Sequence, residues 1–356
     1  MEMLDILKAC VQKGASDLHL VIGQSPMIRQ DGELKPLTEF PVLTAEESRR
    51  LVFTLLSDEQ RARFEKEWEL DFSVAVDQLS RFRANVLFQK NGVEAVLRVI
   101  SNKIPSPDDI ALPPAVTELA NLPRGLVLVT GPTGSGKSTT LACLVNLINH
   151  RRHSHILTIE DPIEFVYENK NSVVRQREIG QQSHSFGSAL KHALRQDPDV
   201  VLIGEMRDLE TIGAALTMAE TGHLVFATLH TTDAAQTIDR IIDVFPAYQQ
   251  QQVRSQLSTV LKAVVCQTLL PRLNAKGRIA AREIMIVTPA VSNLIREGKS
   301  HQIYGAIDTG ARVGMISLDK ALADMVKRGL ISTEEAMAKA NRPEMIRGGP
   351  PLSAAA

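Results

Sequence analysis

Residues 126–140, LVLVTGPTGSGKSTT, join an apolar run to a glycine-rich turn and a lysine that opens a helix pattern. Gly131, Pro132, Thr133, Gly134, Ser135, Gly136, Lys137 and Ser138 fit G-x-x-x-x-G-K-[ST], the phosphate-binding P-loop, and Thr139 follows. The glycines let the backbone curl so that successive N–H groups converge, and the helix starting near Lys137 adds the positive end of its dipole to that anion seat. Lys137 is placed to reach the β and γ phosphates, and the Ser138 hydroxyl to take one coordination position on Mg²⁺. A glycine-rich linker that spelled the pattern by accident would lack the strand before it and the helix after it. The chemistry is that of a nucleoside triphosphate, and the motif alone does not say what hydrolysis drives.

Such a site needs a carboxylate near the metal and the attacking water. DPDVVLIGEMRD supplies Glu205 where four apolar residues, 200–203, end at Gly204, which reads as a Walker B strand with Glu205 near the Mg²⁺ held by Ser138. Without the P-loop, a solvated carboxylate at a strand end would be the plainer reading. ILTIEDPIEFVYE brings Glu160, Asp161 and Glu164 to the same expected edge, with Glu164 as the general base. The alternative is an acidic loop paired with Arg175 or Arg177. LVFATLH delivers His230 to that edge, where it is placed to sense the γ phosphate; His223, before the strand, has less to recommend it. Arg81, Arg83 and Arg98 lie on adjacent strand patterns near the N-terminus and form a basic cluster that fits the charge of a phosphate. Ion pairing with Glu94 and Asp71 accounts for the same cluster equally well.

The elements that must position these groups fall into two patterns. Residues 1–100 alternate short strand patterns with a helix at 3–13 and a helical stretch at 44–68, capped by Thr44 with Glu47, which predicts a small α+β domain with an antiparallel sheet. Residues 101–123 hold five prolines and mark an inter-domain linker. From 124 to 288 apolar strands alternate with helix patterns, as in an α/β core with a mostly parallel sheet that binds ligand at the carboxyl ends of its strands. Residues 247–270 read as one long amphipathic helix, 279–287 as a strand, 289–343 as a helical region, and 344–356 as a disordered tail.

The balance of 40 Lys+Arg against 41 Asp+Glu and a 4% aromatic content disfavour a nucleic-acid motor, which needs long-range positive charge and stacking platforms. The carboxylates around the phosphate seat argue against a scaffold that holds nucleotide only as a structural ligand. Cys10, Cys143 and Cys266 are far apart and form no metal or disulfide pattern. No apolar window approaches the length of a membrane span, and the N-terminal pattern carries Glu2 and Asp5, so the expected location is the cytoplasm.

In order along the chain, ASDLHL, RFRANVLFQ, GPTGSGKSTT, LTIEDPIEF, QREIG, DPDVVLIGEMRD, TGHLVFATLHT and QTLLPR resemble the PilT family of type IV pilus retraction ATPases, among the secretion ATPases of type II and type IV systems. The resemblance runs from about residue 15 to 340. It implies a RecA-like P-loop core with an N-terminal PAS-like domain, ATP as substrate, and a homohexameric ring to whose ATP sites Arg81, Arg83 and Arg98 contribute. It also implies a cytoplasmic motor at the inner membrane, pushing on a pilus platform protein, with an accessory PilU-like paralogue as a further partner. AVSNLIRE, residues 290–297, resembles the AIRNLIRE segment that retraction ATPases need, departing at Ser292 where the family commonly has arginine. Assembly ATPases usually carry a four-cysteine insertion with no counterpart here, which favours retraction over pilus assembly or type II secretion.

Overall fold

The computed structural model describes residues 1–30, 32–77, 79–100, 103–275 and 277–346. The chain divides into two compact units, Met1–Lys103 with Glu164–Val166, and Ile104–Ile163 with Tyr167–Ala356.

The first unit is built on one antiparallel sheet of β1 (Asp17–Leu20), β2 (Met27–Gln30), β3 (Glu33–Pro36), β4 (Glu69–Val76), β5 (Ser80–Gln89) and β6 (Gly92–Ile100), in the order β3-β2-β1-β6-β5-β4. Alternating burial along β5 puts Phe82, Ala84 and Val86 into a core shared with Ile6 and Leu7 of helix Met3–Gln12 and with Phe64. The expected helix over 44–68 is two helices, Ala45–Phe53 and Asp58–Glu67. Thr44 caps the first through the Glu47 N–H, whereas the reciprocal capping box belongs to Ser57 and Gln60 at the start of the second. β2 pairs with β3 as an antiparallel hairpin, with Asp31 itself outside the described residues.

The second unit carries β7 (Gly125–Thr130), β8 (His155–Glu160), β9 (Val173–Glu178), β10 (Val200–Ile203), β11 (Leu224–Leu229), β12 (Leu261–Pro271) and β13 (Arg278–Ile286), in the order β13-β12-β7-β11-β10-β8-β9. Every pairing is parallel except β12 with β13. β7, β10 and β11 are buried throughout, as continuous apolar runs in a covered parallel sheet must be. Because β11 lies between β7 and β10, the P-loop strand and the strand leading to Glu205 are about 10 Å apart at the usual strand spacing.

Three expectations are corrected. The helix expected over 247–270 ends at Val260, and Leu261–Pro271 is β12. Its run of apolar residues has the length and composition of either element, and only its place between β7 and β13 decides. The expected linker is not free past its start: Leu112, Val116 and Leu119 are buried in the second unit, and Arg282 on β13 donates to the Ile110 and Ala111 carbonyls at 3.1 and 3.0 Å. The tail expected from 344 begins with a 3-10 turn, Pro343–Met345, followed by buried Ile346, and residues 347–356 lie outside the described residues. The C-terminal helices Leu318–Lys327 and Thr333–Lys339 contribute Leu322, Met325 and Ala336 to a core with Leu270 and Ile279 of β12 and β13.

Candidate nucleotide site

β7 ends at Thr130 and helix Lys137–Arg151 begins six residues after Gly131, so the glycine-rich stretch is the turn between them. Gly131 adopts φ 137°, and a Cβ there would stand 2.2 Å from the Gln267 carbonyl oxygen, so neither the backbone conformation nor the space admits a side chain. Lys137 Nζ bends back over the loop and donates to the Gly131 and Pro132 carbonyls at 2.8 and 3.2 Å. Burial lowers its pKa, and the nearby Glu205 charge opposes that shift. Ser135 is buried and its hydroxyl has no hydrogen-bond partner, while Pro132, Thr133 and Gly134 of the loop and Ser138 of the helix are exposed.

Gln267 of β12 braces the loop. Its Nε2 donates to the Ser135 carbonyl at 2.8 Å and its Oε1 accepts from Thr140 Oγ1 at 2.9 Å. Sequence reasoning missed it because it fell inside the stretch read as helix.

One strand beyond β11, Gly204 leaves the end of β10 beside β8, where a Cβ would meet the Glu160 backbone at 3.2 Å. The next residue, Glu205, accepts from Arg207 Nη2 at 2.7 Å and meets His230 Nε2 at 3.0 Å. Burial pushes the Glu205 carboxyl up, but the Arg207 hydrogen bond and charge, with His230, hold it below the usual range. Arg207 also feels the charge of Asp161. Glu205 is not a solvated carboxylate: it is one corner of an Arg207–Glu205–His230 group. Arg207, two residues on in GEMRD, is a member of the group that the sequence reasoning missed. Beside this group a cleft of ≈ 360 Å³ is lined by Glu205, Arg207, His230, Thr231, Gln236 and Arg240, among others.

The loop after His230 leads into helix Ala234–Asp243, capped by Asp233 through the Gln236 N–H at 2.8 Å. Thr231 and Thr237 hydroxyls meet at 2.6 Å, and buried Glu283 of β13 accepts from the Ala234 N–H at 2.9 Å. Burial pushes the Glu283 carboxyl up to about 7. His223, before β11, hydrogen-bonds the Met218 carbonyl at 3.0 Å and lies at the strand end opposite the phosphate loop.

The three carboxylates expected at one edge have different surroundings. Glu160 is buried, accepting from Thr158 Oγ1 at 2.6 Å and Gln176 Nε2 at 3.3 Å; Asp161 is exposed, and Glu164 belongs to the first unit. Arg177, one of their suggested partners, donates instead to the Gln182 carbonyl at 3.0 Å. Within the first unit, Arg83 and Arg98 stand directly opposite each other on β5 and β6. Arg98 pairs with buried Asp17 at 2.9 Å, not with Glu94 or Asp71, and Arg81 donates to Ser73 Oγ at 2.7 Å. Glu94 instead accepts from the Ile22 N–H and Gln89, and Asp71 from Asn85.

No cluster of His, Cys, Asp and Glu among the described residues could hold a metal by itself. A hydroxyl with one carboxylate fits Mg²⁺, which takes most of its ligands from substrate phosphates and water. Residues 290–297 fall mostly on helix Pro289–Arg296, whose Val291 and Ile295 are buried; Ser292 Oγ donates to the Ser258 carbonyl at 2.6 Å on helix Ala247–Val260.

The family model described as "Type II/IV secretion system protein" matches residues 2–338. The chain is 51% identical over 344 residues to the "Type IV pilus retractation ATPase PilT" of Pseudomonas aeruginosa, covering 97% of this chain and 99% of that one. It is 50% identical over 322 residues to a "Twitching motility protein" of Neisseria gonorrhoeae, covering 90% and 86%. A crystal structure of the pilus retraction motor PilT with bound ADP superposes with a TM-score of 0.92 at 45% identity, covering 98% of this chain and 99% of that one.

Proposed function

Since this chain belongs to the type II/IV secretion system protein family and to its PilT branch of RecA-like ATPases, we propose that it hydrolyses ATP to ADP and phosphate to power type IV pilus retraction. The observation that carries the reading is the pairing of a glycine-built phosphate seat at the end of β7 with a carboxylate, Glu205, held at the end of β10.

The P-loop N–H groups and Lys137 bind the phosphates, and Lys137 exchanges its two loop carbonyls for phosphate oxygens. Ser138 and Glu205 would hold Mg²⁺, which when bound neutralises charge that builds on the phosphate oxygens. Glu205 orients the attacking water, and Arg207 keeps it ionised for that role. His230, bonded to Glu205, registers whether the γ phosphate is present and passes its loss to the loop before helix Ala234–Asp243. Glu164 is the general base of this proposal, and Arg81, Arg83 and Arg98 supply positive charge to ATP in a homohexameric ring. The ring works at the cytoplasmic face of the inner membrane on a pilus platform protein, alongside an accessory paralogue; no helix among the described residues is long and apolar enough to cross a membrane.

Pilus number and twitching motility in a strain lacking this chain test the reading. Excess pili that do not retract support it; bald cells would assign the chain to assembly. Replacing the exposed Asn293, Arg296 and Glu297 of the 290–297 segment with alanine, which spares its buried Val291 and Ile295, is expected to leave ATP turnover near normal and abolish retraction, and retained retraction would remove that segment's role.

A further inference from the structure

Resting on the reading of residues 131–139 as an ATP phosphate seat, we propose that Gln267 is a positioning residue for it: its amide fixes the peptide plane between Ser135 and Gly136 so that the Gly136 N–H faces the phosphates. Gln267 is 3% exposed and lies on β12, the strand beside β7. Its amide bridges the Ser135 carbonyl, at 2.8 Å, and the Thr140 hydroxyl, at 2.9 Å. A carbonyl oxygen can only accept, so the NH₂ end must be the one at Ser135, and the amide's orientation follows from the chemistry of its partners. Ser135 is in the loop and Thr140 is in the first turn of helix Lys137–Arg151, so one planar group ties the loop to the helix that follows it.

A trans peptide unit is planar, and its C=O and N–H point in opposite directions. With the Ser135 carbonyl drawn toward β12, the N–H of Gly136 in the same plane is turned away from β12, to the concave side of the loop. That plane sits between Gly134 and Gly136, both at positive φ, where little else in the backbone resists a flip. A second grip is independent of the amide: the Gln267 main-chain oxygen lies so close to Gly131 that no Cβ fits between them. β12 therefore holds the loop at its first and its fifth residue. Donors fixed before the substrate arrives cost no reorganisation on binding.

The test is ATP and ADP affinity by calorimetry, with steady-state kinetics, on the full chain carrying Gln267→Met, Gln267→Glu, Thr140→Val or, as control, Lys137→Ala. Gln267→Met keeps the volume and loses the amide; both nucleotides are expected to bind about tenfold more weakly, the value of one buried hydrogen bond. KM should rise with kcat little changed, because the contact serves ground and transition states alike. Thr140→Val, which frees the amide to turn, should show a smaller loss in the same direction. Gln267→Glu should regain affinity as pH falls, since a protonated carboxyl again donates to Ser135, a profile that simple packing would not produce. Wild-type affinity in both Gln267→Met and Thr140→Val, or a flat pH profile in Gln267→Glu, overturns the assignment. If Gln267→Met does not fold, Thr140→Val and the Gln267→Glu profile decide. Wild-type ATP affinity in Lys137→Ala would instead overturn the phosphate-seat reading itself, whereas lost binding there with retained binding in the Gln267 variants removes only Gln267.

Discussion

At the end of β7 the proposed phosphate seat is built mainly of main-chain atoms, with Gly131 pressed against β12 and the Lys137 side chain resting on two loop carbonyls. At the ends of β10 and β11 they are side chains, Glu205, Arg207 and His230, holding one another. The first arrangement is set by backbone geometry and serves binding. The second is set by charge balance and can be retuned by moving one proton or one arginine, which suits a step that must change between substrate and product. On the function proposed, the difference separates affinity from turnover by location, one intervening strand apart.

The comparison breaks most sharply at Lys137. Lys137→Ala should weaken ATP binding at least about hundredfold, because it removes a charge-assisted contact to phosphate; calorimetry checks this, and unaltered affinity would mean that the β7 end does not bind phosphate. Gly131→Ala tests the backbone argument alone. Forcing a Cβ to 2.2 Å from the Gln267 oxygen at φ 137° should cost about 2–4 kcal/mol of stability in urea unfolding, along with nucleotide affinity.

Arg207→Ala sharpens the other side. Arg207 holds the Glu205 carboxyl below its ordinary value, so its loss lets the Glu205 pKa rise and the carboxyl protonate at higher pH. The acid limb of kcat should move to higher pH while ATP affinity changes less than about threefold. An unmoved acid limb would show that the ion pair does not set the ionisation of Glu205.

The smallest effect is expected at Glu283, behind the His230 loop. Burial raises its folded pKa to about 7 from the ordinary 4.5 of a glutamate, so the folded protein binds more protons than the unfolded chain between those values. That contribution to stability is fully present below the unfolded pKa and is lost as pH rises through the folded one. Thermal unfolding should therefore show wild type losing stability relative to Glu283→Gln between about pH 4.5 and 7, and parallel curves would contradict the shift.

The β7 end was readable because G-x-x-x-x-G-K-S constrains dihedral angles and donors within eight consecutive residues. The strand before it, the helix after it and the alternation of strands and helices that follows are local patterns of the same kind. What the side chains of the second arrangement pair with depends on which strands are neighbours, and sequence order does not state that β11 lies between β7 and β10. Arg207 was therefore passed over although it stands in GEMRD, and Arg98 was matched to Glu94 and Asp71 although its partner, Asp17, is on β1, the other neighbour of β6. Gln267 was hidden by a period error: LKAVVCQTLLP is apolar on both faces, and such a run carries no signal separating a buried strand from a buried helix.

The central claim, that binding and cleavage reside at different strand ends, is tested most directly by a single-turnover measurement on Glu205→Ala with ATP already bound. The account predicts ATP affinity within a few-fold of wild type and a hydrolysis rate lower by about 10²–10⁴. Hydrolysis at the wild-type rate, or loss of ATP binding in a folded Glu205→Ala protein, would contradict it.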